Sequence, residues 1–363
     1  MYTSINIPGI FMYVCMCGQE NHKYNRAYTA IPVQANMTEC NKKAAIVLLS
    51  LSEHTNGIWI TRLKDELESL GERVEVIALE SMLNDDLLSA LVSSAKLIVN
   101  RVSDAADPHL YKACMGVLIS IFPTKVWNGP ISYAQCGNKW CHHKLLERAS
   151  LRTPVSTRIS PVTKGNVQDA CHQLQQKGND FPFLVKPNAG GFGAGIIKIT
   201  NKEELSTLMA LSTLPDPVAL IQAYVPPSHN QLYRIWFLRG KVQCGIVRTN
   251  QEGVDEFTTG CAGRGVCSWQ DVRKAQPILS AMNIPIEIIS EIEDRLLPLL
   301  PDAHSGSVEF LQDGNGDRLY FDVNLLSTLP LLETVENVQD VWGKEYNPWY
   351  ELAASVVEYS NCN

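Results

Sequence analysis

The sequence lacks the features typical of membrane, secreted and nucleic-acid-binding proteins. No apolar run approaches the roughly 18 residues that mark a bilayer-spanning helix. The N-terminus lacks the basic-then-apolar order of a secretory signal. Acidic side chains outnumber basic ones by 38 to 31, for a net charge of −7, whereas non-specific nucleic-acid binding requires a basic surface. We therefore expect no membrane and no nucleic-acid partner.

The cysteines also exclude a class of site. All 11 are scattered, with no CxxC pair and no spaced Cys/His quartet, which argues against a structural zinc ion. Scattered free thiols suit a reducing compartment, so a cytoplasmic location is expected. The length of 363 residues is enough for two or three domains. Residues 1–42 are polar without a clear period, and we interpret them as an N-terminal extension.

The first ordered part of the sequence alternates strand and helix patterns. Strands are predicted over 44–50, 73–79, 97–100 and 125–128, and helices over 54–70 and 87–95. This alternation predicts βαβ units and a parallel sheet covered on both faces. Ligands of such sheets lie at the C-terminal strand ends, where His54, Asn56 and Arg101 are found. The alternative interpretation for each of the three is a surface or capping residue.

A glycine-rich hairpin follows at Phe181–Ile199. Two apolar runs flank a loop that contains Gly190, Gly191, Phe192, Gly193 and Gly195, and the first run carries Lys186. Such a loop lets backbone N–H groups approach an anion, and a lysine beside it supplies a charge for phosphate. It is neither a Walker loop, since no G-K-[ST] follows, nor a dinucleotide fingerprint, since a strand follows the glycines. A flexible hairpin loop is the alternative.

The remaining elements surround this hairpin. A helix is predicted over 134–149, and a strand over 218–225 ends at two prolines and suggests a hinge. A β-hairpin is predicted around Arg239-Gly240, followed by a helix over 277–300 interrupted at Pro285. The last predicted hairpin has strands 307–312 and 318–324.

Acidic and amide side chains cluster on that last hairpin. Asp322 and Asn324, two positions apart, face the same way, and Glu309 can lie opposite. Oxygen ligands of this kind suit Mg²⁺ together with bound phosphate. Carboxylates in such apolar strands require a cationic partner, and the alternative to a metal ion is an arginine such as Arg234 or Arg248.

Taken in order, these motifs resemble the ATP-grasp superfamily, in particular ligases similar to the ribosomal-protein glutamate ligase and glutathione synthetase. The resemblance runs from about Ala44 to Pro330. Its motifs are WNGP, GNK with Lys139, LRTPVSTRI, PFLVKPNAGGFGAGI, LIQAYV, LYRIWFLRGKVQCGIVR and VEFLQDGNGDRLYFDVN. It implies a mixed α/β and α+β fold, with a parallel-sheet pre-ATP-grasp domain (43–135), a small subdomain (136–225) and a C-terminal subdomain (226–363).

The resemblance also implies roles for individual residues. Those for ATP are Lys139 and Lys186 at the phosphates, Gly190, Gly191, Phe192, Gly193 and Gly195 in the loop over them, Gln222, Ala223, Tyr224 and Val225 at the adenine, and Arg234. Glu309, Asp322 and Asn324 would hold Mg²⁺, as two ions, with Mn²⁺ as an alternative. Arg248 would steady the transferring group. In addition, a second glycine-bearing loop at 260–265 is predicted to close over the carboxylate substrate with Arg264, and the alternative is an ordinary surface loop. The sequence departs from many relatives at Ala223 and Leu232, where they have acids, and in its D-x-N metal motif.

The implied activity is an ATP-dependent carboxylate–amine ligase. ATP would phosphorylate a carboxylate, and an amine, from an amino acid or peptide, would attack the acyl phosphate to give an amide, ADP and phosphate. Dimers and tetramers are common among such ligases, so a homodimer fits the resemblance. Two alternatives remain open: an inositol-phosphate-type kinase, for which the leading domain offers chiefly Arg62, Lys64 and Arg101 as basic residues, and a non-catalytic nucleotide-binding protein.

Overall fold

The strands form three sheets in a computed structural model that describes residues 45–83, 94–102, 115–116, 118–119, 122–190, 196–201, 204, 217–250 and 277–362. The strands are β1 (Ala45–Ser50), β2 (Val74–Ala78), β3 (Ala95–Asn100), β4 (Ser156–Ile159), β5 (Phe183–Pro187), β6 (Ile197–Ile199), β7 (Ala219–Ala223), β8 (Gln231–Leu238), β9 (Lys241–Thr249), β10 (Ile278–Ala281), β11 (Ser305–Gln312) and β12 (Arg318–Asn324). The α-helices are α1 (Ile58–Ser69), α2 (Pro130–Gln135), α3 (Lys139–Arg148), α4 (Lys164–Gln176), α5 (Ile286–Ser290), α6 (Val338–Val341) and α7 (Pro348–Cys362).

The first sheet has the order β2-β1-β3 and is parallel, as predicted. Every residue of β1 is buried, which explains its unbroken apolar sequence. The strand predicted over 125–128 is wrong: Val126 forms only an isolated parallel bridge with Ile98, and Pro123–Lys125 is a 3-10 turn. The helix predicted over 87–95 lies mostly outside the described residues, and Ala95 begins β3.

The second sheet has the order β4-β7-β5-β6 and contains the predicted glycine-loop hairpin. Strands β5 and β6 pair antiparallel, with Val185 opposite Ile197. Helix α4 covers this sheet through Val167, Ala170 and Leu174. The sequence also predicts a helix over 202–211, which lies almost entirely outside the described residues.

The third sheet has the order β10-β9-β8-β11-β12. Both predicted hairpins are confirmed, and Arg239 and Gly240 adopt positive φ angles of 50° and 77° at the first turn. The helix predicted over 277–300 is wrong in its first part, because Ile278–Ala281 pairs with β9 as an edge strand. Helix α5 begins only after Pro285 and continues as a π-helix and a 3-10 turn to Leu299.

The helix predicted over 134–149 is broken into α2 and α3. Asp302 caps α2, accepting hydrogen bonds from the backbone of Ile131 and Ser132 at 2.9 and 2.8 Å. The side chain of Asn138 caps α3 by accepting from the Cys141 N–H at 2.9 Å. These two caps, one from the distant Asp302 and one from the adjacent Asn138, stabilise separate helices where the apolar period alone suggests one.

Helix α7, for which we made no prediction, packs on α1 and closes the largest core cluster. That cluster joins residues of β1, α1, β8, β9 and α7, with Trp349 fully buried in it. Residues 43–363 form one unit by their contacts, and the subdomain boundaries at 135 and 225 stay a prediction. Among the described helices, none combines the length and the apolar composition that crossing a membrane requires.

Candidate functional site

A row of three charged side chains crosses three adjacent strands of the third sheet. Arg234 on β8 lies opposite Glu309 on β11, and Glu309 lies opposite Asp322 on β12. Arg234 Nη2 donates a hydrogen bond to Glu309 Oε1. The predicted apposition of Glu309 and Asp322 is therefore present, and Glu309 has the arginine partner that we considered as the alternative to a metal ion.

The two carboxylates of the row have different electrostatic surroundings. Burial raises the pKa of Glu309, and Arg234 acts against this shift. Burial also acts to raise the pKa of Asp322, but His142, Lys139 and Arg234 outweigh it and lower that pKa to about 2. Asp322 is thus held as a carboxylate, whereas Glu309 is the member of the pair that accepts a proton more readily.

Lys139 and Arg248 lie beside this row. Lys139, in the first turn of α3, donates from Nζ to the carbonyl of Gly190, where the glycine loop begins. Its backbone N–H donates to the Asn188 carbonyl at 2.9 Å, which fixes α3 against the end of β5. Arg248 on β9 acts to lower the pKa of Glu309. Lys139, Gly190, Arg248 and the carboxylates are therefore neighbours.

His142 is a member of the site that our sequence interpretation missed. Its Nδ1 lies 2.6 Å from Asp322 Oδ1, and its Nε2 lies 2.8 Å from the carbonyl oxygen of Cys136. Both ring nitrogens face oxygen atoms, so the ring bridges β12 and the Cys136 carbonyl just before α3. The signal was the spacing, because residues three apart, such as Lys139 and His142, lie on one face of a helix.

Lys186 lies on β5 of the second sheet, next to this row. It is buried and donates to Gln222 Oε1, and Gln222 Nε2 donates to Ser156 Oγ at 2.9 Å. Its Nζ also lies 5.5 Å from the centre of the Phe321 ring, the residue before Asp322. The second predicted phosphate lysine therefore faces the strand that carries the acids, although its described hydrogen-bond partner is Gln222.

The predicted hinge forms the end of β7 and the segment after it. The N–H groups of Ala223 and Tyr224 donate to the carbonyls of Val155 and Pro182 at 2.8 and 3.1 Å. Lys198 Nζ lies 3.8 Å from the centre of the Tyr224 ring. Val225 is half-buried before Pro226. The backbone of this segment is thus fixed by the residues next to β4 and β5, and the Tyr224 ring by Lys198 of β6.

The side-chain oxygens of Glu309, Asp322 and Asn324 fit a Mg²⁺ ion only if phosphate oxygens of the nucleotide complete its coordination. Among the described residues no group of three or more His, Cys, Asp or Glu side chains has an arrangement that could hold a metal ion. Asn324 lies opposite Ser307, one row from the carboxylates, and its Oδ1 accepts from the Leu326 N–H at 2.7 Å. Mg²⁺ usually binds through one or two carboxylates plus substrate phosphates, and Glu309 with Asp322 matches that pattern.

Five predicted site residues lie outside the described part of the chain. They are Gly191, Phe192, Gly193, Gly195 and Arg264. The structure describes the chain up to Gly190 on one side of the glycine loop and from Ile196 on the other.

Part of the chain that carries these side chains matches a known protein family. Residues 136–287 match the family described as the RimK-like ATP-grasp domain. This part of the chain is therefore similar to RimK-like ATP-grasp domains. The match covers α3, the glycine loop, the hinge and Arg248, and it confirms the resemblance inferred from the motifs. Compared by sequence with curated proteins, the chain matches none.

Solved structures of ATP-grasp proteins share the fold beyond that domain. D-cycloserine synthetase DcsG superposes with a TM-score of 0.63 at 12% identity, covering 87% of this chain and 100% of that one. D-alanine–D-alanine ligase from Bacillus anthracis gives 0.62 at 17%, covering 88% and 98%. The ATP-grasp ligase PsnB, complexed with its minimal precursor, Mg and ADP, gives 0.58 at 14%, covering 89% and 99%. The predicted ATP-grasp fold is confirmed.

Proposed function

We propose that this protein is an ATP-dependent carboxylate–amine ligase that works through an acyl phosphate. The observation that carries the proposal is the Arg234–Glu309–Asp322 row with Lys139 and the start of the glycine loop beside it. The RimK-like ATP-grasp domain and the fold shared with several ligases support the same ADP-forming C–N ligase chemistry. A cluster that only maintained the fold would not need Lys139 at the glycine loop.

The cationic side chains bind and orient the phosphates in this proposal. Lys139 and Lys186 hold phosphate oxygens, and the backbone of the loop from Gly190 to Gly195 covers them. Arg234 keeps Glu309 in place through their hydrogen bond. The segment from Gln222 to Val225 contacts the adenine. Mg²⁺ held by Glu309, Asp322 and Asn324 would offset phosphate charge when bound with ATP, and the number of ions and the use of Mn²⁺ belong to the proposal.

The reaction balances without a protein nucleophile. A substrate carboxylate oxygen bonds to the γ-phosphorus as the bond to ADP breaks. The amine nitrogen then attacks the acyl carbon, loses a proton and expels phosphate. Arg248 supplies fixed positive charge near the transferring group, where negative charge develops, and Arg264 is proposed to cover the carboxylate substrate.

The substrates and setting are proposed at a coarser level. The similar structures are a D-cycloserine synthetase, a D-alanine–D-alanine ligase and a ligase complexed with a precursor peptide, so we propose a small-molecule carboxylate and an amino-acid or peptide amine. The described cysteines are all free thiols, among them Cys171 and Cys244 in the core, which is consistent with a reducing, cytoplasmic setting. Assembly as a homodimer is part of the proposal.

The test is ATP turnover by purified protein with Mg²⁺ and pairs of carboxylates and amines. We expect ADP and phosphate only when both substrates are present, and no turnover by Asp322→Ala. Asp317→Ala is the matched control, because Asp317 pairs with Arg152 at the exposed hairpin turn and should leave turnover unchanged.

Two outcomes would contradict the ligase. A phosphorylated product with ADP would indicate a kinase. Against a kinase, two of its candidate phosphate-binding residues on α1 already have acidic partners, since Arg62 pairs with Glu333 and Lys64 with Glu68. Absence of both turnover and ATP binding by calorimetry would leave a protein that retains the fold without the activity.

A further inference from the structure

A small cavity adjoins the third sheet on the side of the carboxylate row. It has a volume of about 20 Å³ and is lined by residues that include Arg101, Trp236, Gly306, Ser327 and Glu351. A water molecule needs roughly 10–15 Å³ measured in this way, so the cavity has room for one small polar group. It brings together the C-terminal end of β3, strands β8 and β11, the segment after β12 and helix α7.

Arg101 brings a positive charge to this cavity without a countercharge. In the part of the chain that the structure describes, no carboxylate forms an ion pair with Arg101. This includes Glu351, which lines the same cavity. Arg101 Nη2 donates only a long hydrogen bond of 3.5 Å to the Ser327 carbonyl, and its Nε is buried without a partner. Burial lowers the pKa of Arg101 to about 10. An uncompensated buried charge is strongly unfavourable, so a guanidinium in this position suits an anionic ligand.

Two further groups that can donate hydrogen bonds line the same cavity. Trp236 Nε1 and Ser327 Oγ are buried, and neither has a hydrogen-bond partner among the described residues. The two residues are only 3% and 7% exposed. An indole N–H can only donate, so the cavity combines a guanidinium with a donor that needs an acceptor. A carboxylate, which only accepts, complements both.

The cavity lies next to the proposed reaction centre. Trp236 is two residues from Arg234 along β8, and Arg234 Cζ lies 5.8 Å from the centre of the Trp236 ring. Because a strand rises about 3.3 Å per residue, the Cα atoms of Arg234 and Trp236 are about 7 Å apart along β8. Trp236 therefore forms a wall shared by the cavity and the Arg234–Glu309 pair.

We propose that this cavity binds a non-reacting carboxylate of a substrate, with Arg101, Trp236 and Ser327 as its donors. The inference rests on the proposed ligase and deepens it: one of the two substrates is bifunctional, an amino acid or a dicarboxylic acid. Its anchored carboxylate fills the cavity, and its other functional group lies on the side of Trp236 that faces the Arg234–Glu309 pair. Arg101 thus determines specificity and touches no reacting atom.

The test measures binding of small carboxylates by thermal shift and calorimetry, without turnover. The probes are glycine and succinate, which represent the two substrate sources, with ethanolamine as a carboxylate-free amine and sodium chloride at matched ionic strength. We expect a saturable rise in Tm with glycine or succinate and none with ethanolamine or chloride. The probe that binds tells which substrate is anchored.

Variants of Arg101 make the test specific. Arg101→Met should weaken carboxylate binding at least tenfold, and without ligand it should melt at the same or a higher temperature, because it removes an uncompensated buried charge. Arg101→Lys keeps the charge without the planar fork and should bind several-fold more weakly; it serves as the readout if the methionine variant does not fold. Arg62→Met, at an exposed arginine paired with Glu333, is the matched control and should bind as the wild type does.

Several results would overturn the inference. They are equal carboxylate binding by wild type and Arg101→Met, no Tm shift with either carboxylate, or an equal shift with chloride. Failure of the ligase proposal gives a different pattern, because carboxylate binding by the wild type and its loss in Arg101→Met would persist while ATP binding and turnover were absent. Asp322→Asn, in turn, should lose turnover while it still binds the carboxylate.

Discussion

At the scale of single residues, Asp322 depends on a neighbour from a different part of the fold. His142 reaches it from α3 and is itself held by the Cys136 carbonyl. Asp322 Oδ1 is thereby fixed, and no described residue donates a hydrogen bond to Oδ2, the oxygen available to Mg²⁺ in the proposed site. Groups that orient a metal ligand in this way typically contribute a factor of about 10–100 to metal affinity.

We therefore predict that His142→Leu weakens Mn²⁺ binding about 10-fold or more, measured by electron paramagnetic resonance in the presence of ADP. His142→Asn, whose amide can still donate towards Asp322, should recover part of the affinity. His143→Leu is the matched control, because His143 pairs with Glu147 on its own helix, at 3.2 Å. Equal Mn²⁺ affinity in the two leucine variants would show that His142 has no such role.

The residue scale also shows what the sequence alone allowed. Strand alternation correctly placed Glu309 opposite Asp322, because hairpin pairing is a local property. The position of His142 was missed, because it depends on where α3 begins. That start depends on Asn138 and on the backbone bond from Lys139 to Asn188, and the latter joins residues far apart in sequence.

At the scale of elements, β12 is attached to the helical segment that follows α5. Glu291 accepts two hydrogen bonds of 3.0 Å from Arg318 and one of 2.5 Å from Tyr320. Burial acts to raise the pKa of Glu291, but Arg318 and Tyr320 outweigh it and lower that pKa. This cluster connects the helix to the strand that carries Asp322 and Asn324.

We predict that Glu291→Gln destabilises the protein by about 1–3 kcal/mol at pH 7, measured by urea unfolding. The lowered pKa means that this stabilisation is present above the ordinary carboxyl value of about 4.3 and is lost as the pH falls through the lower folded value. The difference between wild type and variant should therefore shrink at acid pH. A difference that stayed constant from pH 7 to pH 3 would contradict the role of the Glu291 charge.

Close packing of β11 against its neighbours gives a second prediction at this scale. A Cβ atom at Gly306 would lie 2.6 Å from Phe237 Cζ and 2.9 Å from the Asn324 carbonyl oxygen. Gly306→Ala should therefore destabilise the protein by about 1–3 kcal/mol through overpacking. In Gly314→Ala, at the hairpin turn, the new Cβ meets nothing within 4 Å. Urea unfolding of both variants should separate them, and equal stability would argue against a tight strand contact.

Element boundaries show where prediction from sequence failed. Ile278–Ala281 has an apolar pattern too short to distinguish helix from strand. It forms a strand because β9 offers it a free edge, a property of the assembled sheet. Pro285 was correctly recognised as a break, since proline restricts the backbone before it regardless of tertiary contacts.

At the scale of the whole molecule, one apolar cluster links the first sheet, the third sheet and the C-terminal helix. Trp349 is 1% exposed and shares this cluster with Leu63 of α1 and Trp236 of β8. Its indole N–H donates to the Pro330 carbonyl at 3.0 Å. The parallel-sheet part of the chain and the ATP-grasp domain therefore share a core.

We predict that Trp349→Ala lowers the free energy of unfolding by about 3–5 kcal/mol, in a single transition. Tyr350→Ala changes the next residue, which is 44% exposed, and should have an effect within about 0.5 kcal/mol. Circular dichroism and tryptophan fluorescence should follow the same urea curve in each variant. Separate transitions would show that the two parts unfold independently.

The charges around the carboxylate row have a consequence for the order of assembly. Arg234, Arg248 and Lys139 act on Glu309 and Asp322, so three cationic side chains face two carboxylates and leave an excess of one positive charge. A bare divalent cation approaching this region is repelled, whereas a polyphosphate is attracted. Metal and nucleotide binding should therefore be positively linked, with the ion arriving as a complex with the phosphates rather than ahead of them.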